Sequence, residues 1–186
     1  MQEDKSMIYN SEDMEMRAAL EAAARVCAAA RTAPKACGID HMHTLTLTDA
    51  DKDRIADEME NLGEELGAAF FIRDAGNVRA AKVLVLIGIE ETQRGLGEIC
   101  GYCHFSNCGD CAANNGVCVY DPIDVGIALG SAAAAAADCR VDSRILFSAG
   151  RAAVSKGLMG ENVRQVYGLP LSISGKSPFF DRKPKK

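Results

Sequence analysis

Lys82-Val-Leu-Val-Leu-Ile-Gly-Ile89 is a nearly continuous apolar run, and its reading decides the fold. A strand with one wet face alternates apolar and polar residues. A strand covered on both faces reads as an unbroken apolar string of this length. The run therefore predicts a central strand with protein on either side.

Working outward, Met16, Leu20, Ala23, Cys27 and Ala30 recur at helical spacing, which predicts a helix from about Glu12 to Arg31 capped by Ser11 or Asn10. Pro34 and Gly38 mark the following stretch as a loop. His43 to Leu47 alternates and is β-rich, so it reads as a strand. Thr48, with Asp51 three residues on, opens a second helix in the manner of a capping box. Its stripe is Ile55, Met59, Leu62 and Leu66, and Gly67 ends it.

Beyond the central strand, Asp121 and Pro122 open a third helix running to about Cys139. The alanines at 132–137 give it helix propensity and leave room for other backbone to approach. Arg144–Ser148 reads as a short strand, Arg151–Leu158 as a helix, 161–167 as a further helical turn or two, and Leu169–Ser174 as a last strand. Helices and strands mix throughout. The class is α+β with mixed α/β character in one domain of 186 residues, without internal repeats or a long linker.

Apolar residues make up 48% of the chain and charged residues 25%, as in an ordinary globular protein. The net charge of −5 excludes a basic footprint for nucleic acid, and the five-residue basic tail from Arg182 reads as a solvated end. No apolar run is long enough to span a membrane, and residues 1–10 are too polar for a secretory signal. The expectation is a cytoplasmic protein, where clustered thiols bind metal or do redox chemistry more often than they form disulfides.

Such a cluster is present. Cys100-Gly-Tyr-Cys103-His-Phe-Ser-Asn-Cys108-Gly-Asp-Cys111-Ala-Ala-Asn-Asn-Gly-Val-Cys118 places five of the eight cysteines in 19 residues, within a loop over 98–119. Each C-x2-C pair can turn two sulfurs toward one centre, and two pairs supply the four thiolates of an iron–sulfur cluster, [4Fe–4S] ahead of [2Fe–2S]. Gly101, Gly109 and Gly116 ease the backbone of a tight wrap. Zinc is the alternative, since four thiolates also make a structural tetrahedral site. Structural zinc sites usually separate the pairs by a dozen residues or more, and here four intervene. Cys100, Cys103, Cys108 and Cys111 are the first ligand set, and Cys118 can replace any one of them. His104 reads as a neighbouring or solvent group. Cys27 and Cys139 fall on apolar helix faces as core residues, while Cys37 sits in a loop as an inert side chain or beside a cofactor. His41 and His43 share a face as a metal pair would, without a third ligand recognisable nearby. No hydrolase triad motif, Walker loop or G-x-G-x-x-G fingerprint is present.

Several stretches carry a resemblance. They are Ala30-Arg-Thr-Ala-Pro-Lys-Ala-Cys-Gly38, the cysteine loop, Asp124-Val-Gly-Ile-Ala-Leu-Gly-Ser131 and Pro170-Leu-Ser-Ile-Ser-Gly-Lys-Ser-Pro-Phe-Phe-Asp-Arg182. Together they make the chain resemble a family of uncharacterised prokaryotic proteins described as containing a ferredoxin domain. The order of elements is also similar to that of FMN-dependent nitroreductases. That second resemblance implies a three-layer arrangement of helices around a mixed sheet, FMN as a further cofactor, and a homodimer. By position it implies flavin-phosphate contacts at Arg31, Thr32 and Lys35, with Lys176 or Arg182 as a C-terminal basic residue. A single Arg31 stands where nitroreductases usually carry paired arginines, and the cysteine loop replaces part of their substrate pocket. The function so implied is a flavin-linked iron–sulfur oxidoreductase serving a redox partner protein or a small-molecule acceptor. The alternatives are a ferredoxin-like carrier without flavin and a zinc-stapled binding protein without redox activity.

Overall fold

The computed structural model describes residues 8–180. The central strand forms as its composition requires. β2 (Val83–Glu90) is buried along almost its whole length. Val83, Val85, Ile87 and Ile89 face one core, while Leu84 and Leu86 face the other. Residues of a strand point alternately to opposite sides, so an unbroken apolar run feeds two cores at once.

The first core lies under α1 (Ser11–Thr32) and α5 (Tyr120–Asp138). Both helices present small residues to it, Ala19, Ala22, Ala23 and Ala30 from α1 and Ala128, Ala132 and Ala136 from α5. The hydroxyl of Ser131 donates to the carbonyl of Ala29 at 3.0 Å, which ties α5 directly to the α1 backbone. Asn10 caps α1 in a complete capping box with Asp13.

The second core lies under α2 (Asp49–Glu65), α3 (Ala69–Ala80) and α6 (Phe147–Ser155). Helix α3 is absent from the sequence reading. It folds back on α2, and the buried Lys52 ammonium of α2 donates to the carbonyls of Val78 and Arg79 at its end. A cation suits a helix C-terminus because the last carbonyls there have no intrahelical partner. Thr48 precedes α2, but its side chain makes no capping bond.

The sheet has the order β1-β2-β4-β3, with β1 (Met42–Thr48), β3 (Asp142–Ser143) and β4 (Val163–Ser172). The three-layer expectation holds, whereas the mixed sheet does not: all three neighbouring pairs are antiparallel. Between β1 and β2 the chain passes through two helices, α2 and α3, which return it to the end of the sheet where β1 finished. Strand direction therefore reverses.

Residues 161–167 are not helical. Strand β4 begins at Val163, and a bulge leaves Arg164 unpaired between the Glu90–Val163 and Ile89–Gln165 partners. The extra residue resets the side-chain alternation, so Val163 and Val166, three apart, enter the same core. A spacing of three is what a helix would show. The strand expected at 144–148 is reduced to a bridge between Leu146 and Gly168, after which α6 starts four residues earlier than its pattern indicated.

Candidate functional site

After Glu90 the chain leaves the sheet and crosses the N-terminal end of α5. There it meets two carboxylates, Asp121 and Asp124, which are 0% and 2% exposed. Arg94, itself 5% exposed, answers them. One guanidinium nitrogen lies 2.9 Å from Asp121 Oδ1 and the other 2.9 Å from Asp124 Oδ2. The Thr92 amide donates to Asp121, and Arg94 donates to the Thr92 carbonyl. Both oxygens of Asp124 accept from the Ala36 amide at 3.1 Å. This ionic centre pins three segments together: the loop after α1, the loop after β2, and the start of α5. Burial raises the Asp121 carboxyl, and the charge of Arg94 opposes that rise. The guanidinium of Arg94 stays charged, since burial opposes the charge but the two carboxylates outweigh it.

Arg94 also lines a small cavity together with Cys100, Cys103, Cys108, Cys111 and Cys118. All five clustered cysteines meet there. The wrap that achieves this turns at Gly95, Gly97 and Gly101, with φ of +74°, +61° and +65°, a region L side chains avoid. Gly116 serves differently: a Cβ there would lie 2.4 Å from the Phe105 ring and 2.9 Å from Cys111 Sγ. Cys108 and Cys111 stand one turn apart on α4 (Cys108–Ala113), capped by Asn107. The Gly97 amide donates to Cys108 Sγ at 3.4 Å.

The thiols form a connected set. Burial pushes the Cys111 thiol above its usual range, and its hydrogen bond with Cys103 adds to the rise, while Gln93 opposes it. Holding a thiolate at Cys111 thus calls for positive charge nearby. Arg94 is the buried cation of this cavity, and its charge acts on Cys118. Tyr120 borders the other end of the set: burial raises its hydroxyl first, and the adjacent Cys100 adds to that. Among the described residues no group of three or more histidine, cysteine, aspartate or glutamate side chains is arranged to share a single metal ion.

The remaining sequence candidates are placed as follows. His104 is exposed and has φ of +65°. Cys37 is exposed, near Tyr120 but outside the cavity lining. Cys27 is half-buried on α1, with its sulfur 3.5 Å from the Thr46 hydroxyl, and Cys139 packs at the edge of the first core. His41 and His43 do have a shared neighbour, Glu90, at 3.7 Å and 2.8 Å. Arg31 pairs in two-pronged fashion with Asp40. Thr32 donates to the carbonyl of Ala28, and Lys35 to those of Arg31 and Ala33, at the end of α1. Lys176 is exposed in the segment after β4. Arg182 and the basic tail lie outside the described residues.

The sequence reading missed Arg94. The available signal was a pair of aspartates three apart in the first turn of an otherwise apolar, alanine-rich helix, which cannot be buried without a cation. No helix among the described residues is long and apolar enough to cross a membrane.

Comparison with known proteins adds three findings. The sequence pattern of the family described as "Uncharacterized protein containing a ferredoxin domain" matches residues 114–182, a stretch that includes Cys118 and omits the other four clustered cysteines. An uncharacterized protein of Archaeoglobus fulgidus is 38% identical over 188 residues, covering 97% of this chain and 100% of its own. Among solved structures, a nitroreductase in complex with FMN from Desulfovibrio desulfuricans superposes with a TM-score of 0.57 at 16% identity, covering 88% of this chain and 79% of its own. Nitroreductase A from Vibrio parahaemolyticus gives 0.55 at 16% identity, covering 89% and 62%. These likenesses establish a shared fold.

Proposed function

This chain belongs to the family of proteins containing a ferredoxin domain, and from that premise we propose that it is a redox protein holding an iron–sulfur cluster in the cavity of the cysteine loop. The observation that carries the reading is the meeting of all five clustered thiols around one space. In a [4Fe–4S] cluster each thiolate binds a different iron, so the ligand sulfurs stand apart by the breadth of the group. A lone zinc draws four sulfurs to within about 2.3 Å of a single point. Sulfurs that surround a cavity suit the first arrangement. Four of Cys100, Cys103, Cys108, Cys111 and Cys118 would hold the group, with [4Fe–4S] as its type.

Such a cluster supplies uptake and release of single electrons. The protein's part is to keep water out, fix the ligands and set the local charge. Cys111 is 1% exposed, the Gly97 amide already addresses a cysteine sulfur, and Arg94 brings a buried cation. Purification without oxygen, followed by iron, acid-labile sulfide and zinc analysis and a visible spectrum, tests the reading. Iron and sulfide in equal amounts with broad visible absorption are expected. A colourless protein with stoichiometric zinc overturns it.

A flavin-linked form of the same reading is favoured by the fold, because the Desulfovibrio structure carries FMN. Arg31, Thr32, Lys35, Lys176 and Arg182 would hold its phosphate. Arg31 and Lys35 keep donors beyond those already engaged, and an exposed pair such as Arg31–Asp40 costs little to open. Lys35→Ala is expected to weaken FMN binding several-fold in a fluorescence titration. Unchanged affinity with a lowered thermal midpoint would instead leave Lys35 as a cap for the end of α1. In the flavin-linked form the protein is a homodimer, and Ile123 and Ile127, exposed one turn apart on α5, are apolar surface for that contact. Its electrons pass to a partner protein or a small-molecule acceptor.

A further inference from the structure

Arg94 is an expensive residue to bury. Its side chain is 1% exposed, and it has two carboxylates for partners yet retains a donor, Nε, without any acceptor. A buried donor left unpaired is costly, more so when charged, and native proteins seldom carry one without cause. The residue lines the cysteine cavity, and its charge reaches the Cys118 sulfur. A clamp between loops would need only the two terminal nitrogens, which donate to Asp124 and the Thr92 carbonyl and lie in charge contact, without a hydrogen bond, against Asp121 Oδ1. The Nε–H is surplus to that task.

We propose that Arg94 is the positioning residue that sets the reduction potential of this site, with Asp121 and Asp124 fixing its orientation and Nε–H left to donate to sulfur in the cavity. The inference rests on the cluster reading above. The step concerned is the arrival of one electron from an external reductant; no bond is broken and no proton is needed. The added negative charge is stabilised by a cation held beside it and destabilised by a carboxylate. Screening is weak because all three side chains are buried. Hydrogen bonds to cluster sulfur act in the same direction as the cation.

Arg94 and Asp121 should therefore have opposite effects, which a merely structural clamp would not show. The test uses Arg94→Gln and Asp121→Asn, prepared without oxygen beside the parent and titrated with dithionite while the reduced signal is followed by electron paramagnetic resonance. Iron and sulfide are counted in each. Arg94→Gln should shift the oxidised-to-reduced ratio at a fixed potential about tenfold toward oxidised, as for one charge at roughly 10 Å in an effective dielectric of about 20. Asp121→Asn should shift it toward reduced. Parental midpoints in both variants, with iron retained, overturn the role of Arg94 and leave the cluster reading standing. If Arg94→Gln loses its iron, Asp121→Asn decides alone: a shift toward reduced supports the role, and no shift or the opposite shift overturns it. A parent protein free of iron overturns both proposals together.

Discussion

Cys103→Ser and Cys111→Ser are each expected to cut cluster retention by at least about tenfold, since even residues that only support metal ligands are worth about 10–100-fold. Cys111 is buried on α4, and Cys103 lines the same cavity. Serine keeps the size but offers iron a hard oxygen that stays protonated at neutral pH. The loop that carries these residues is entered through glycines at positive φ, Gly95, Gly97 and Gly101, and encloses a cavity for a centre, so its order depends on what fills it. Metal binding is coupled to folding, and loss of the group should loosen this loop before the sheet. Iron analysis after anaerobic purification measures the first effect, and limited proteolysis between 98 and 119 the second. Cys27→Ser is the control: its sulfur contacts Thr46 outside the cavity, and iron should be unchanged. Parental iron in both Cys103→Ser and Cys111→Ser would show that neither thiol is a ligand.

The second large effect falls on a glycine. Gly150→Ala is expected to destabilise the fold by about 3 kcal/mol or more, at the upper end of overpacking. A Cβ there would lie 1.7 Å from the Val166 carbonyl oxygen, 2.3 Å from its carbon and 2.7 Å from the Tyr167 nitrogen. All three are backbone atoms of β4, paired here with β2, and the Leu146–Gly168 bridge follows one residue on. Backbone so held does not yield, so α6 would have to lift away. Lifting it would unpack Ala149, Ala152 and Ala153 from the second core. The gain of about 1 kcal/mol from replacing a helical glycine is smaller than that loss. Gly76→Ala in α3 isolates the gain, since nothing lies within 4 Å of its would-be Cβ, and it should stabilise by about 0.5–1 kcal/mol. Urea midpoints of the two variants should move in opposite directions. A Gly150→Ala midpoint equal to that of the parent would show that α6 does not press on β4 this closely.

Neither the close approach of α6 to β4 nor the helix α3 is legible in the sequence. The stretch Ala69–Ala80 has two phenylalanines, an isoleucine and a valine without a clean stripe, because α2 and α6 both flank it. Residues 161–167 mislead for a different reason: the bulge at Arg164 lets Val163 and Val166 share a face at a helix-like spacing. A bulge exists only relative to a partner strand, and that partner lies more than 70 residues earlier.

What the sequence determined by itself was whatever a short window of chain decides locally. An unbroken apolar string made β2 a two-faced centre, a capping box began α1, and two C-x2-C pairs gathered sulfur into one loop. Only the tertiary structure decided that the sheet is antiparallel, that Arg94 sits between Asp121 and Asp124, and that Cys118 joins the other four around one cavity. Those facts depend on segments distant in the chain becoming neighbours. The cost of burying charge or leaving a backbone group unpaired is set by that neighbourhood, and local composition does not contain it.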